Sequence, residues 1–359
     1  MTLFGDRYRG RRVLLTGHTG FKGSWLAMWL TELGAEVVGV ALAPDTMPNH
    51  WDLLGLGIAE HRLDVRDCQS LMDVVAATQP EIVFHLAAQS LVRRSYRQPL
   101  DTWSTNVMGT ASVLDACRSS DSVGAIVVVT SDKCYENLEQ ERGYRETDRL
   151  GGHDPYSASK AAAELVAASY RSAFFHGPGA PLLATARAGN VIGGGDWSED
   201  RLIPDLVRAL ATGTRLEIRA PEATRPWQHV LESLSGYLLL GQALLERHRD
   251  CAGAWNFGPE AEGNRSVAEV LARMQAHWPQ LAWHVSSQPQ PHEAKLLYLD
   301  SAKARAGLGW QPVWPIDNAL AATADWYRAY LSAGRVESRA QLGAFVHAAQ
   351  AAGLPWAAS

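Results

Sequence analysis

The chain of 359 residues has few cysteines, no long apolar run and little net charge. Its four cysteines, Cys68, Cys117, Cys134 and Cys251, form no CxxC pair, so we expect neither a zinc site nor a disulfide framework. Nowhere do 18 apolar residues follow one another without a charge, which argues against a membrane span. The formal charge of -5 gives no overall field for nucleic acid or an anionic membrane. These absences predict a cytoplasmic protein with reduced thiols, no metal and a small-molecule partner.

The first half of the chain alternates short apolar runs with helical patterns, which is typical of βαβ units and a parallel sheet. The predicted strands are Val13 to Thr16, Glu36 to Val40, Ile82 to Leu86, Ile126 to Thr130 and Leu183 to Ala186. The predicted helices are Gly23 to Leu33, Asp67 to Thr78, Leu100 to Cys117 and Pro155 to Phe175. This order predicts an α/β protein with a doubly wound parallel sheet of the Rossmann type.

The pattern loosens after Asn190, where a helix from Pro204 to Ala211 and a strand from Leu216 to Ile218 are expected. A helical stretch from Val230 to Arg247 is placed to return to the sheet. We therefore predict a dinucleotide-binding domain over residues 1–190, with a return segment at 229–255. Residues 191–228 and 256–359 are predicted to form a smaller mixed α/β domain that binds substrate. Core packing explains the thirteen tryptophans better than stacking on a sugar or base.

A glycine-rich segment, RRVLLTGHTGFKG, places Gly17, Gly20 and Gly23 between a predicted strand and a predicted helix. Without side chains, such a loop lets backbone N–H groups approach a pyrophosphate at a helix N-terminus. The alternative is an ordinary glycine turn, but the parallel sheet behind the loop favours a dinucleotide site.

The spacing TGxxGxxG resembles that of the extended short-chain dehydrogenase/reductase superfamily, and LDVRD, HLAAQ, STNVMGT and PYSASK extend the resemblance. It implies cofactor contacts at Gly17, Gly20, Phe21, Lys22, Gly23, Asp64, Val65, Leu86, Ala87, Ala88, Asn106, Tyr156 and Lys160. The second predicted strand ends without the acidic residue that usually binds the ribose 2′-hydroxyl, and Asp45 lies several residues further on. No arginine is there for a 2′-phosphate. We therefore expect NAD rather than NADP, held more loosely than usual.

Tyr156 and Lys160 lie four residues apart at the start of a predicted helix, so both side chains project from one face. An adjacent ammonium and a cationic nicotinamide ring both favour the phenolate, which would make Tyr156 a base. In VVVTSDKCYEN a predicted strand ends with Ser131, Asp132 and Lys133. The carboxyl ends of parallel strands face the ligand crevice, so these residues are expected to meet Tyr156 there. An added acid and base imply proton transfers beyond a simple reduction.

This arrangement resembles the nucleotide-sugar 4,6-dehydratases, and the pair Asp132-Lys133 resembles the CDP-glucose 4,6-dehydratases in particular. The resemblance runs from Val13 to about Trp326. It implies that Tyr156 takes the O4 proton of glucose while NAD takes the C4 hydride. Lys133 then removes the C5 proton and Asp132 protonates the leaving C6 hydroxyl, which gives CDP-4-keto-6-deoxyglucose for deoxysugar biosynthesis.

Three alternatives stay open. Lys133 could instead orient the substrate or balance the charge of Asp132, with a water as the base. A nucleotide-sugar 4-epimerase would share the fold but would have no use for Asp132 and Lys133. A catalytically inactive, NAD-binding regulatory protein is disfavoured by the intact Tyr156 and Lys160.

The resemblance also implies substrate contacts at Gln89, Asn190, Arg201, Arg225 and His292, with Lys295 a weaker candidate. Guanidinium groups suit a diphosphate, which is favoured for Arg201 and Arg225 over the alternative of surface salt bridges. The expected substrate, CDP-glucose, rests on the resemblance alone. The helices Leu100 to Cys117 and Pro155 to Phe175 form a homodimer interface in that family, so a homodimer is expected, although both helices could equally face the sheet.

Overall fold

A computed structural model describes residues 3–288 and 296–358. Its centre is a seven-stranded parallel sheet with the strand order β7-β6-β5-β4-β1-β2-β3. The strands are β1 (Arg12–Thr16), β2 (Glu36–Ala41), β3 (Ala59–Arg62), β4 (Ile82–His85), β5 (Ala125–Val129), β6 (Leu182–Ala188) and β7 (Ala254–Phe257). The predicted doubly wound sheet is confirmed, with two strands more than the sequence pattern indicated.

Thirteen α-helices lie in the described part of the chain. They are α1 (Phe21–Glu32), α2 (His50–Leu54), α3 (Cys68–Thr78), α4 (Val92–Arg97), α5 (Pro99–Trp103), α6 (Gly109–Arg118), α7 (Pro155–Ala173), α8 (Leu202–Thr212), α9 (Val230–Leu245), α10 (Val267–His277), α11 (Ala302–Leu308), α12 (Ile316–Ala333) and α13 (Ser338–Ala351). Single 3-10 turns are found at Leu3–Asp6, Asp132–Cys134, Arg249–Cys251, Ala261–Gly263 and Pro355–Ala357. Over the described residues, no helix has the length and apolar character needed to span a membrane.

Alternate residues of the central strands pack into two apolar layers. Val13 and Leu15 of β1 lie in the layer that contains α1 and α9, whereas Leu14 lies in the layer that contains α3 and α6. Burial of both faces explains the nearly continuous apolar run of β5, whose five residues are all buried.

The smaller unit on the other side of the crevice contains α8, α10 and three two-stranded sheets. These sheets pair Val191–Ile192 with Gln228–His229, Leu216–Ile218 with Trp283–Val285, and Thr224–Pro226 with Asn264–Ser266. Nine of the thirteen tryptophans are buried, which supports core packing as their main role.

Three details differ from the sequence-based expectation. The predicted helix from Leu100 to Cys117 is divided by a π-helical segment at Ser104–Met108. The exposed edge strand β3 has the sequence AEHR, which carries no apolar alternation. The return segment continues through β7 to Phe257, because α9 leads into a strand that pairs with β6.

Residues after Arg335, to which sequence analysis assigns no role, pack against the first helix and the N-terminal turn. Phe345 of α13 meets Trp29 of α1 edge to face with ring centroids 5.9 Å apart. Trp356 stacks on Phe4 at 5.0 Å. The C-terminal helix therefore belongs to the same apolar cluster as α1.

Candidate active site

A cleft of about 1130 Å³ opens at the carboxyl ends of the central strands. Its walls come from the glycine-rich loop after β1, the segment after β5, the start of α7 and residues 188–205. This is the position in which open α/β sheets bind ligands, because the strand order reverses there.

The glycine-rich loop is shaped for close backbone approach. Gly17 has a φ of +77°, and a Cβ atom on it would lie 2.6 Å from the backbone nitrogen of Ala87. A Cβ atom on Gly23 would lie 2.0 Å from the carbonyl oxygen of Gly17. Gly20 is the N-cap of α1, so the first N–H groups of that helix face the cleft. The loop therefore fits a dinucleotide pyrophosphate.

Most of the other expected cofactor residues also line the cleft. These are Phe21, Lys22, Asp64, Val65, Leu86, Ala87, Ala88, Tyr156 and Lys160. Asp64 accepts hydrogen bonds from Arg66, which hold the pKa of its carboxyl below the usual value. Asp45, beyond the end of β2, also lines the cleft and pairs with Arg94 at 2.8 Å.

Asn106 and Gln89, which were expected to contact the cofactor and the substrate, donate the hydrogen bonds of their side-chain amides to other groups of the protein. Asn106 is buried outside the cleft lining, where its amide donates to the Gln89 carbonyl at 3.0 Å and to Ser159 Oγ at 2.8 Å. The Gln89 side chain donates to the Leu91 carbonyl and to Thr102 Oγ1. Asn106 thus ties the cleft wall to α7, and a direct ligand contact by either residue stays a prediction.

Ser131, Asp132 and Lys133 lie together where β5 ends, in and beside a short 3-10 turn. Ser131 Oγ donates to Asp132 Oδ1 at 2.9 Å and accepts from the Lys133 backbone N–H at 3.2 Å. The other oxygen of Asp132 is buried without a hydrogen-bond partner among the described residues. Burial raises the pKa of Asp132 above the usual value, although the cation of Lys133 opposes the rise. A carboxyl in this setting is suited to donate a proton.

Tyr156 and Lys160 project from the first turns of α7. Asp154 caps this helix by accepting from the Ser157 backbone N–H at 2.9 Å, and Pro155 takes the first helical position, as the sequence predicts. Lys160 Nζ donates to the Val129 carbonyl at 3.3 Å, and burial lowers the pKa of Lys160 to about 8.

The phenol of Tyr156 behaves differently from the sequence-based expectation. Burial raises its pKa to about 12, although a hydrogen bond with Ser131 opposes the rise. Lys160 does not offset this, since its ammonium is directed to the end of β5. A further positive charge in the cleft, such as the cationic ring that the sequence-based expectation included, would favour the phenolate.

Asn190, Arg201 and Arg225 also line the cleft. Arg201 donates to Asp196 Oδ2 at 3.0 Å and to Ser90 Oγ at 3.2 Å. Arg225 is buried and donates to the Thr224 carbonyl at 2.9 Å, so its side chain does not lie at the surface. His292 and Lys295 lie outside the described residues.

Comparison with known proteins agrees with this geometry. The family model described as GDP-mannose 4,6 dehydratase matches residues 14–323. The chain belongs to this family. It is 46% identical over 334 residues to the CDP-glucose 4,6-dehydratase of Salmonella typhimurium, an alignment that covers 90% of this chain and 92% of the relative. The dTDP-glucose 4,6-dehydratase of Streptomyces griseus is 30% identical, with 89% and 95% covered.

Solved structures of dehydratase and epimerase relatives share the fold of this family member. TunA, an NAD-dependent NDP-hexosamine 5,6-dehydratase, is 26% identical with a TM-score of 0.74, covering 89% of this chain and 98% of TunA. MoeE5, solved with UDP-glucose and NAD, is 28% identical with a TM-score of 0.74, covering 89% of this chain and 100% of MoeE5. The UDP-glucose 4-epimerase of Thermus thermophilus is 24% identical with a TM-score of 0.77, covering 88% and 99%, and shows the shared fold.

Several site residues of this dehydratase-family chain were missed from the sequence. Arg93 and Arg219 line the cleft and pair with Asp200 at 3.3 and 2.8 Å. Arg219 follows the strand Leu216–Ile218 directly, and a strand end facing the crevice is the signal that would have indicated it. Glu164 and Arg187 form a buried ion pair, and its only signal in the sequence was the position of Glu164 four residues after Lys160.

Proposed function

We propose that the protein is a CDP-glucose 4,6-dehydratase, which converts CDP-D-glucose to CDP-4-keto-6-deoxy-D-glucose. The observation that carries this proposal is the buried carboxyl of Asp132 beside Lys133, in the same cleft as Tyr156. A 4-epimerase only removes and returns a hydride at C4, so it needs no acid for a leaving hydroxyl. The 46% identity to the Salmonella typhimurium enzyme supports the choice of CDP-glucose.

The cofactor that we propose is NAD, held by the glycine-rich loop, by Asp64 and Val65, and by Leu86 to Ala88. When bound, NAD would take a hydride from C4 of the sugar and later return it to C6, so the overall reaction would be redox-neutral. The pyrophosphate would lie at the loop in which Gly17 and Gly23 leave no room for a side chain. The cationic ring would also lower the pKa of the Tyr156 phenol.

In the first step, the Tyr156 phenolate accepts the proton of the O4 hydroxyl while C4 of the sugar becomes a ketone carbon. Ser131 holds the same oxygen by hydrogen bonding, and Lys160 anchors the end of β5 through the Val129 carbonyl. The 4-ketone makes the adjacent C5–H bond more acidic.

In the second step, Lys133 removes the C5 proton and Asp132 donates a proton to the C6 hydroxyl, which leaves as water. Lys133 lines the cleft next to Asp132. The two side chains are therefore proposed to act on the adjacent carbons C5 and C6 of the sugar. Burial raises the pKa of Asp132 above its usual value, which suits this carboxyl to donate a proton in the step.

The nucleotide diphosphate is proposed to bind Asn190, Arg201 and Arg225. The planar guanidinium groups match phosphate oxygens, and both arginines already line the cleft. This diphosphate site and the dinucleotide site support the proposed division of the chain into two domains. Residues 1–190, with the return segment, would bind the dinucleotide, and the remaining residues would bind the substrate.

A homodimer is proposed through the helices that follow α4 and through α7. Several large apolar side chains are exposed on these elements: Leu100, Trp103, Met108, Leu165 and Phe174. Apolar patches of this kind mark interaction surfaces. We also propose that the protein is cytoplasmic, where its four free thiols would stay reduced.

Incubation with CDP-glucose, UDP-glucose, dTDP-glucose and GDP-mannose in the presence of NAD tests the function. Mass spectrometry should show the loss of one water from CDP-glucose in preference to the other three sugars. A product of unchanged mass but altered configuration would instead indicate an epimerase. Absence of any reaction would favour a regulatory, NAD-binding protein.

A further inference from the structure

Lysine is rare in this chain, and its distribution is uneven. The sequence has 28 arginines but only five lysines: Lys22, Lys133, Lys160, Lys295 and Lys303. Three of the five line the cleft. Arginine keeps its charge in almost any setting, whereas the lysine amine loses its proton readily when buried. Lys133 and Lys160 have roles in the proposed reaction, but the side chain of Lys22 has none.

Lys22 is the second residue of α1 and reaches across the floor of the cleft to α9. Its Nζ donates to the hydroxyl of Tyr237 at 3.2 Å and lies 5.7 Å from the centre of that ring. Tyr237 is fully buried and packs edge to face against Phe257. The amine is therefore anchored to the side chain of Tyr237 on α9.

Three charged groups from separate elements act on the Lys22 amine: Asp132 after β5, Lys160 on α7 and Arg201 before α8. Burial, together with the cations of Arg201 and Lys160, lowers the pKa of Lys22 to about 7, and the charge of Asp132 opposes this shift. The Lys22 amine and the Asp132 carboxyl, which line the same cleft, therefore influence each other's charge.

The surroundings of Asp132 contain complementary groups. Lys133, Arg225 and Lys22 are the cations that favour its carboxylate, and Ser131 donates to its Oδ1. Its unpartnered Oδ2 lies 2.9 Å from the position that a Cβ atom on Gly189 would occupy. The phenol groups of Tyr156 and Tyr237 lie close enough to respond to the charge on this carboxylate.

We propose that Lys22 is a positioning residue for the elimination, whose ammonium stabilises the carboxylate that Asp132 becomes after it protonates the departing C6 hydroxyl. This inference rests on the proposed dehydratase function. In that step Lys133 takes the C5 proton, the C5–H electron pair becomes the C5=C6 bond, and the C6–O bond breaks. The Asp132 proton leaves with the oxygen as water, so Lys133 gains a positive charge and Asp132 a negative one. Lys22, anchored by Tyr237, opposes the cost of that new buried anion.

The pH dependence of turnover tests the proposal with Lys22→Met, Lys22→Arg and, as a matched control away from the cleft, Lys303→Met. Removing the Lys22 cation raises the pKa of Asp132, so the limb on which activity falls with rising pH should move upward by about one pH unit. A weaker acid should also lower kcat on the order of 10-fold at saturating CDP-glucose and NAD. Lys22→Arg and Lys303→Met should keep the wild-type limb. The proposal would be overturned if the falling limb of the pH profile of Lys22→Met coincided with that of the wild type. It would also be overturned if Lys22→Arg moved this limb as far as Lys22→Met does.

Amine labelling provides a second readout that needs no turnover. The pH dependence of acetylation at each lysine, followed by mass spectrometry, gives the apparent pKa of Lys22 in the wild type and in Asp132→Asn. Loss of the carboxylate should lower the apparent pKa of Lys22, with Lys303 unchanged as the internal reference. Equal values for Lys22 in both proteins would refute the coupling. If the wild type converted no nucleotide sugar while the labelling shift was present, the proposed function would fail and the Lys22–Asp132 coupling would stand.

Discussion

Arg187 and Glu164 form a buried ion pair, with Arg187 Nη2 2.7 Å from Glu164 Oε2 and only 3% of each side chain exposed. Glu164 lies one helical turn after Lys160, and its oxygens also accept from Thr130 at 2.5 Å and Thr185 at 2.7 Å. The pair thus joins α7 to the ends of β5 and β6. It fixes the distance between the residues after β5 and those at the start of α7.

Replacing Arg187 with Met should lower the free energy of unfolding by about 3 to 5 kcal/mol, because it leaves the Glu164 carboxylate buried without its counter-ion. Urea unfolding followed by tryptophan fluorescence measures the change. Arg328→Met is the control, since Arg328 and Asp325 pair at the surface with 50% and 62% of their side chains exposed. That change should cost about 1 kcal/mol or less. Equal urea midpoints of unfolding for the two variants would show that the ion pair of Arg187 and Glu164 does not hold α7 to β5 and β6.

Asp132→Asn should separate removal of the C5 proton from loss of the C6 hydroxyl. The amide cannot protonate the C6 hydroxyl, so water loss from CDP-glucose should fall by about 10²- to 10⁴-fold. Lys133 still removes the C5 proton, so the recovered sugar should gain one deuterium at C5 in D₂O. Lys133→Met is expected to lose both the exchange and the water loss. Normal dehydration by Asp132→Asn would exclude this carboxyl as the acid.

Gly23→Ala should weaken NAD binding about 10-fold or more, because the added methyl group would lie 2.0 Å from the carbonyl oxygen of Gly17. Isothermal titration calorimetry measures the affinity. Gly343 on α13 is the matched control, since nothing lies within 4 Å of a Cβ atom built there. Gly343→Ala should leave NAD affinity unchanged and stabilise the fold by about 0.5 to 1 kcal/mol. Unaltered NAD binding in Gly23→Ala would place the dinucleotide elsewhere.

Leu165→Glu should convert the proposed dimer to a monomer, because Leu165 on α7 is 60% exposed in the single chain and would lie buried in the interface. Sedimentation velocity at micromolar concentration distinguishes the two states. Leu331→Glu changes a similar side chain on α12, which is 49% exposed and distant in sequence from the proposed interface. This control should stay dimeric. A monomeric wild type would remove the proposal of a dimer.

Apolar strand patterns and helix caps were sufficient to predict five of the seven central strands and the start of α7 from the sequence. The apolar runs of β1, β2, β4, β5 and β6 were visible in the sequence, as was the Asp154-Pro155 start of α7. The edge strand β3 was not, because its four residues are all exposed and show no alternation. The π-helical segment at Ser104–Met108 was also missed, because its composition does not differ from that of an α-helix.

The site was predictable where one rule of topology applied. Ser131 to Lys133 end a parallel strand, and this was sufficient to place them in the cleft with Tyr156. The partners of Lys22 were not predictable, because Tyr237 lies 215 residues further along the chain. The raised pKa of Tyr156 was also missed, since burial depends on packing that a single sequence does not specify.

One hydride is expected to move within the sugar from C4 to C6 while water is lost. CDP-glucose that carries deuterium at C4, incubated with the protein and NAD, tests this transfer by NMR and mass spectrometry of the product. The expected product is a 4-keto sugar whose C6 methyl group contains the deuterium. Deuterium retained at C4 of an inverted sugar, without loss of water, would contradict it.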